Sequence, residues 1–183
     1  MSDRKRYAVV GLGSRSSMFT RALYTDYAKD NALVAFCDIN QTRMDYYNNK
    51  YQEEFGIKPV PTYKPDQFEQ MITDHNIDCV IVTSKDCTHH EYICRAMEAG
   101  CDAISEKPMT TDAAKCQQIL DTQVRTGKKL TVTFNYRYAP RNSKVRELIQ
   151  AGEIGDVHSV HFEWLLNTKH GTNVFRRWHR DKA

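Results

Sequence analysis

No apolar run in this 183-residue chain approaches the length of a membrane span, which excludes a helical membrane protein. The basic start Arg4-Lys5-Arg6 imitates a secretory leader, but glycines interrupt the apolar stretch behind it and no cleavage pattern follows. A cytoplasmic location is therefore expected. A long basic stripe is also missing. Charge is close to balanced, with 26 basic and 23 acidic residues and a net charge of +3, and the cations are scattered apart from Arg4 to Arg6 and Arg176-Arg177 with Arg180. Neither nucleic acid nor a membrane is an expected partner. The six cysteines contain no CxxC pair and no histidine stands at a finger-like spacing, so no metal site is expected. Cys37 and Cys79 fall in predicted buried strands, where cysteine behaves as a small apolar residue. Core packing accounts better than a metal for the seven-residue recurrence of Cys87, Cys94 and Cys101, and reduced thiols in a reducing compartment are expected. Internal repeats, low-complexity tracts and flexible linkers are absent as well.

What is present is an alternation of short apolar runs with helical periods, the pattern of a parallel sheet with crossover helices. Strands are predicted at Arg6 to Val10, Leu33 to Cys37, Cys79 to Thr83, Ala103 to Ser105 and Leu130 to Phe134. Helices are predicted over Arg15 to Ala28, Gln41 to Phe55, Pro65 to Asp74, His89 to Ala99 and Ala113 to Thr126. Pro65 suits a first helical turn, and Gly100 and Gly127 suit helix C-termini. Right-handed crossovers would bring every strand C-terminus to one sheet edge, where ligands bind.

The most informative stretch lies at that edge. Ala8-Val9-Val10 leads into Gly11-Leu12-Gly13-Ser14-Arg15-Ser16, then a helical period, then Leu33-Val34-Ala35-Phe36-Cys37-Asp38. Strand, glycine turn, helix, strand and acid is the layout of a dinucleotide site. Gly11 permits a tight turn, and Gly13 removes a side chain where backbone must approach a pyrophosphate. The free N–H groups and positive dipole end of the next helix suit the phosphates. Ser16 replaces the third glycine and is small enough for close helix–strand packing. Asp38 stands where an acid hydrogen-bonds a ribose 2′-hydroxyl and repels a 2′-phosphate, favouring NAD over NADP. The plainer reading makes the glycines turn punctuation and Asp38 the cap of the next helix.

After Asn135 the character changes. Pro140 to Ala151 reads as a helix closed by Gly152, and Val157 to Trp164 alternates like a half-exposed antiparallel strand. One such strand cannot stand alone. The expected organisation is therefore a dinucleotide-binding domain over 1–138, followed over 139–183 by the connecting helix and first strand of a truncated second α+β domain for substrate and oligomerisation. On this reading the chain is an N-terminal fragment of a larger protein. The rival is an intact small protein with a strand added to its sheet edge.

Three further segments fall at predicted strand ends: Thr83 to Glu91, Glu106-Lys107-Pro108, and Asn135-Tyr136-Arg137-Tyr138. With the glycine turn and Gly152-Glu153-Ile154-Gly155, they resemble the glucose-fructose oxidoreductase, inositol dehydrogenase and rhizopine-catabolism (Gfo/Idh/MocA) family over nearly the whole chain. Glu106-Lys107-Pro108 is the most specific element. The resemblance implies a Rossmann-type doubly wound parallel sheet. It also implies an NAD-dependent transfer of hydride to or from a small carbohydrate, amino sugar or cyclitol, by a full-length protein that is a homo-oligomer. Lys107 inherits the role of the family lysine that lies beside the nicotinamide and orients or protonates the reacting oxygen. A cis Lys107–Pro108 bond would fix its direction. Gly11, Gly13, Ser14, Arg15, Ser16, Asp38, Ser84, His89, Glu106 and Lys107 are the implied cofactor contacts. Asn135 and Trp178, the latter in Arg176-Arg177-Trp178-His179-Arg180, complete that set.

Two departures matter. Ser84-Lys85-Asp86 stands where the family has Thr-Pro-Asn. The family's second catalytic element, an aspartate and histidine after a Gly-Gly stretch, has no counterpart, and His158, His161 and His170 precede its place. The fragment is therefore expected to bind NAD without a complete catalytic constellation. The alternatives are an NAD-dependent glycosidase that oxidises its sugar transiently, and a non-catalytic nucleotide-binding regulator.

Overall fold

A computed structural model describes residues 4–165 together with 167, 168 and 172. The chain divides into two compact units, 1–134 and 135–183. In the first, six parallel strands alternate with five helices: β1 (Lys5–Val10), α1 (Ser16–Tyr24), β2 (Asn31–Cys37), α2 (Gln41–Phe55), β3 (Thr62–Tyr63), α3 (Phe68–His75), β4 (Cys79–Val82), α4 (His89–Glu98), β5 (Asp102–Ser105), α5 (Ala113–Thr126) and β6 (Leu130–Val132). The sheet order is β3-β2-β1-β4-β5-β6, so the winding reverses between β1 and β4. In register, Val10 lies beside Cys37 on one flank and Val82 on the other, which levels the C-terminal ends of the three central strands.

The strands are continuously apolar because both faces are covered. Ala8, Val10, Cys37, Val80 and Val82 pack on Phe68 and Met71 of α3, Ile93 and Met97 of α4, and Ile119 of α5. Val9, Phe36 and Ile81 point the other way, onto Leu23 of α1 and Met44, Tyr47 and Tyr51 of α2. The period of two along a strand thus divides one apolar run between two layers.

The first unit departs from the sequence reading mainly at element ends. α1 stops at Tyr24 rather than Ala28, with Thr25 leaving helical angles. The segment at Pro65 opens as a 3-10 turn, Pro65–Gln67, before α3 begins. β6 ends at Val132, not Phe134. The two-residue β3 was not foreseen, since a pair of residues carries no period.

The second unit contains α6 (Pro140–Gln150), with Pro140 in its first turn. Tyr136 packs its ring 5.3 Å from Trp164. The strand expected over Val157 to Trp164 is not formed; these residues are exposed and without regular structure. Among its described residues the second unit contains no strand to complete a ladder, and an alternating pattern alone supplies no hydrogen-bond partner.

Arg95 joins α3 to α4. Its guanidinium forms two hydrogen bonds to Glu69, at 2.6 and 2.7 Å, and lies 4.8 Å from the ring centre of Phe68. Hydrogen bonding to Arg95 holds the Glu69 carboxyl below its ordinary 4.5. This stabilisation is present above that ordinary value and fades as pH falls through the lower folded one. Both side chains reach solvent, so Glu69→Gln is expected to cost about 0.5–1 kcal/mol at neutral pH. In urea denaturation the difference from the parent should shrink towards pH 3; a difference that stays constant contradicts this account.

Candidate dinucleotide site

β1 ends against β4 with no room for a side chain. Gly11 has φ +82°, and a Cβ there would lie 2.4 Å from Ser84 Cα and 2.5 Å from its nitrogen. Thr83 seals the junction: its hydroxyl donates to Gly11 O at 2.6 Å, and its N–H to Val10 O at 2.8 Å. Gly13 is different. It lies outside the positive-φ region, and a Cβ would meet nothing within 4 Å. Protein packing supplies no reason for a bare backbone at Gly13, whereas a ligand lying on the turn does.

The turn is held from behind. Ser16, fully buried, donates to Gly13 O at 2.7 Å, and the Tyr47 hydroxyl of α2 donates to the same carbonyl at 2.9 Å. Helix α1 has neither an acidic residue in its first turn nor a side-chain cap, so its positive end is not neutralised by its own side chains. Ser14 and Arg15 are exposed at this end.

Asp38, 5% exposed, closes the next strand end. One carboxylate oxygen accepts from Leu12 N at 2.6 Å, the other from Asn40 N at 2.8 Å, and Arg43 lies 3.7 Å away. The plainer role for Asp38 fails, because Asn40 caps α2 by accepting from Arg43 N. Cys37 beside it is no candidate nucleophile: burial, reinforced by the Asp38 charge, pushes its thiol up to about 12.

The third component follows β5. Glu106 is buried, and its carboxylate accepts from Lys107 N at 3.2 Å and Thr133 Oγ1 at 3.3 Å, with Arg15 Nε at 3.5 Å. The Lys107–Pro108 bond is cis and Lys107 is exposed. His89, 1% exposed, sets Nδ1 against Pro108 O at 2.8 Å and Nε2 against Ser84 O at 3.1 Å. Its ring therefore ties the loop after β4 to the loop after β5.

Hydrogen bonds or ion pairs thus join Gly13 to Ser16, Ser84 to His89, and Glu106 to both Arg15 and Lys107, while Gly11 is held by Thr83 and Asp38 by Leu12 and Asn40. Asn135 is exposed in the second unit, and Trp178 lies outside the described residues. Sequence reasoning missed Tyr47 and Thr133, and named Thr83 only as a strand end and the start of the segment Thr83 to Glu91, without a role. Met44, Tyr47 and Tyr51 share the buried stripe of α2, a spacing that marks Tyr47 as inward-facing without revealing its bond to the turn. Among the described residues no cluster of His, Cys, Asp and Glu could hold a metal ion. An open cleft of about 800 Å³, lined by Arg4, Lys5, Arg6, Asp78, Asp102 and Lys128 among others, lies at the opposite sheet edge.

A glycine turn at the winding reversal of a parallel sheet, with an acid closing the second strand, defines a dinucleotide-binding α/β protein. The chain belongs to the oxidoreductase family with an NAD-binding Rossmann fold, which matches residues 5–134. It is 34% identical over 179 residues to YteT of Bacillus subtilis (strain 168), covering 97% of this chain and 41% of that protein. It is also 26% identical over 151 residues to an inositol 2-dehydrogenase/D-chiro-inositol 3-dehydrogenase of Lactiplantibacillus plantarum, covering 82% and 41%. The crystal structure of myo-inositol 2-dehydrogenase from Lactobacillus plantarum superposes with a TM-score of 0.72 at 23% identity, covering 85% of this chain and 43% of that one. The chain spans about two fifths of the length of the curated relatives it matches.

The two glycines should separate by substitution. Gly11→Ala is expected to lose at least about 2 kcal/mol of stability through left-handed strain and overlap with Ser84. Gly13→Ala should keep stability within about 0.5 kcal/mol while weakening NAD⁺ binding about tenfold. Thermal unfolding and calorimetric titration read the two effects; equal stability losses, or an unchanged affinity in Gly13→Ala, would contradict the assignment.

Proposed function

We propose that this chain is the cofactor-binding part of an NAD-dependent oxidoreductase acting on a secondary alcohol of a sugar, amino sugar or cyclitol. The observation that carries this reading is the Glu106-Lys107-Pro108 triplet. It is tied to the glycine turn through Arg15 and to the loop after β4 through His89. The inositol dehydrogenase relative supports a polyhydroxylated ring as the substrate class.

Residue by residue, the site fits the cofactor. The bare backbone at Gly13 and the uncapped start of α1 suit a pyrophosphate. Asp38 suits the ribose hydroxyls and disfavours a 2′-phosphate, so NAD is preferred to NADP. Bound NAD supplies the hydride acceptor. Lys107 would hydrogen-bond the substrate oxygen, stabilise negative charge developing there and relay the hydroxyl proton. Its backbone N–H already donates to the Glu106 carboxylate, which holds the triplet at the sheet edge. Residues that complete the substrate pocket and the acid–base apparatus are assigned to the portion of the relatives' length that this chain does not span. The six unpaired cysteines suit a reducing, cytoplasmic setting.

In the whole protein, Lys107→Ala is expected to lower kcat by about 10²- to 10⁴-fold with little change in NAD⁺ affinity. Steady-state oxidation of inositols and pyranosides, followed by NADH absorbance, tests this. Turnover at the parental rate would remove Lys107 from the chemistry.

A further inference from the structure

Among the described residues Asp38 and Glu106 are the two buried carboxylates, both at the C-terminal edge of the sheet. Asp38 already has a place in dinucleotide recognition. Glu106 is also an implied cofactor contact, and its oxygens are directed at protein groups: the amide of Lys107, the hydroxyl of Thr133 just beyond β6, and the guanidinium of Arg15. Three loops of the ligand edge therefore converge on one carboxylate. Among the described residues Arg15 is its cationic partner, and Arg15 belongs to the glycine turn.

The pair is lopsided. The Glu106 side chain is 7% exposed and that of Arg15 is 44% exposed, so the carboxylate end is buried and the guanidinium end is open. Arginine carries five N–H donors, of which Nε is directed at Glu106. At 3.5 Å the contact is an ion pair looser than the 2.7–2.9 Å typical of a charge-assisted hydrogen bond. An anion arriving at the uncapped start of α1 meets this guanidinium, and a forked cation can serve two anions at once.

We propose that Arg15 is shared between the cofactor phosphates and Glu106, making Glu106 a positioning residue that couples phosphate binding at the glycine turn to the placement of Lys107. The inference rests on the NAD-binding reading above. Phosphate orders Arg15, the ordered guanidinium holds Glu106, and Glu106 holds the backbone N–H of Lys107. The entropy of ordering Arg15 is then spent once for two contacts, which gives positive coupling between the sites.

ADP-ribose tests this because it fills the phosphate turn without a nicotinamide to shield Lys107. The 183-residue chain is pulsed with acetic anhydride with and without saturating ADP-ribose. Acetylation of Lys107 is read by mass spectrometry against exposed Lys29 at the opposite sheet edge. In the parent chain ADP-ribose should change the Lys107 rate about fivefold. In R15A and E106Q, each saturated with ADP-ribose and shown by thermal unfolding to be folded, the change should fall below about twofold, and R15K should restore part of it. E106D replaces E106Q if the latter does not fold. An equal response in the parent and both variants, or no response in a parent chain that binds ADP-ribose, overturns the coupling while leaving the cofactor reading intact. A parent chain that binds neither NAD⁺ nor ADP-ribose overturns the cofactor reading itself, and the coupling with it.

Discussion

Contact between the end of β1 and the end of β4 sets the geometry on which the remainder of the site depends. The two strands are neighbours at the winding reversal, and the backbone of Gly11 lies so close to Ser84 that no Cβ fits between them. The contact closes the gap beneath the edge and turns the chain outward at Gly13. It also carries the loop after β4 to where His89 can reach across to Pro108. A wider separation would displace the glycine turn, the His89 brace and the Lys107 triplet together.

The chemistry of the edge rests on two carboxylates treated alike. Each is almost fully buried, accepts a backbone N–H from a loop that follows a neighbouring or its own strand, and has an arginine within ion-pair distance. Burial of an ionised carboxylate is tolerable only with such partners. Those partners also fix the loops. Asp38 secures the turn after β1 to the end of β2, and Glu106 links the same turn to the ends of β5 and β6. The edge is thus stitched together by buried charges and their protein partners.

Much of this was legible in the sequence where a local rule governs. The spacing from Gly11 to Asp38 follows from one strand–turn–helix–strand unit, and α2 and α5 match their predicted ranges, Gln41 to Phe55 and Ala113 to Thr126. What sequence could not supply was long-range pairing. Nothing local announces that Tyr47 donates to Gly13 O, that Thr83 seals Gly11, or that Glu106 and Arg15 meet across ninety-one positions of chain. The strand expected over Val157 to Trp164 failed for the same reason. An alternating pattern states a preference, and the ladder that satisfies it must come from elsewhere.

The central claim is that the edge formed by Gly13, Asp38 and Glu106 is a dinucleotide site. A crystal structure of this chain grown with NADH tests it most directly. The account predicts the pyrophosphate on the backbone of Gly13 at the start of α1, the adenosine ribose hydroxyls on the Asp38 carboxylate, and the nicotinamide towards Lys107. NADH seated in the basic cleft at Arg4 to Arg6, or no bound NADH in crystals whose C-terminal sheet edge is open to solvent, would contradict it.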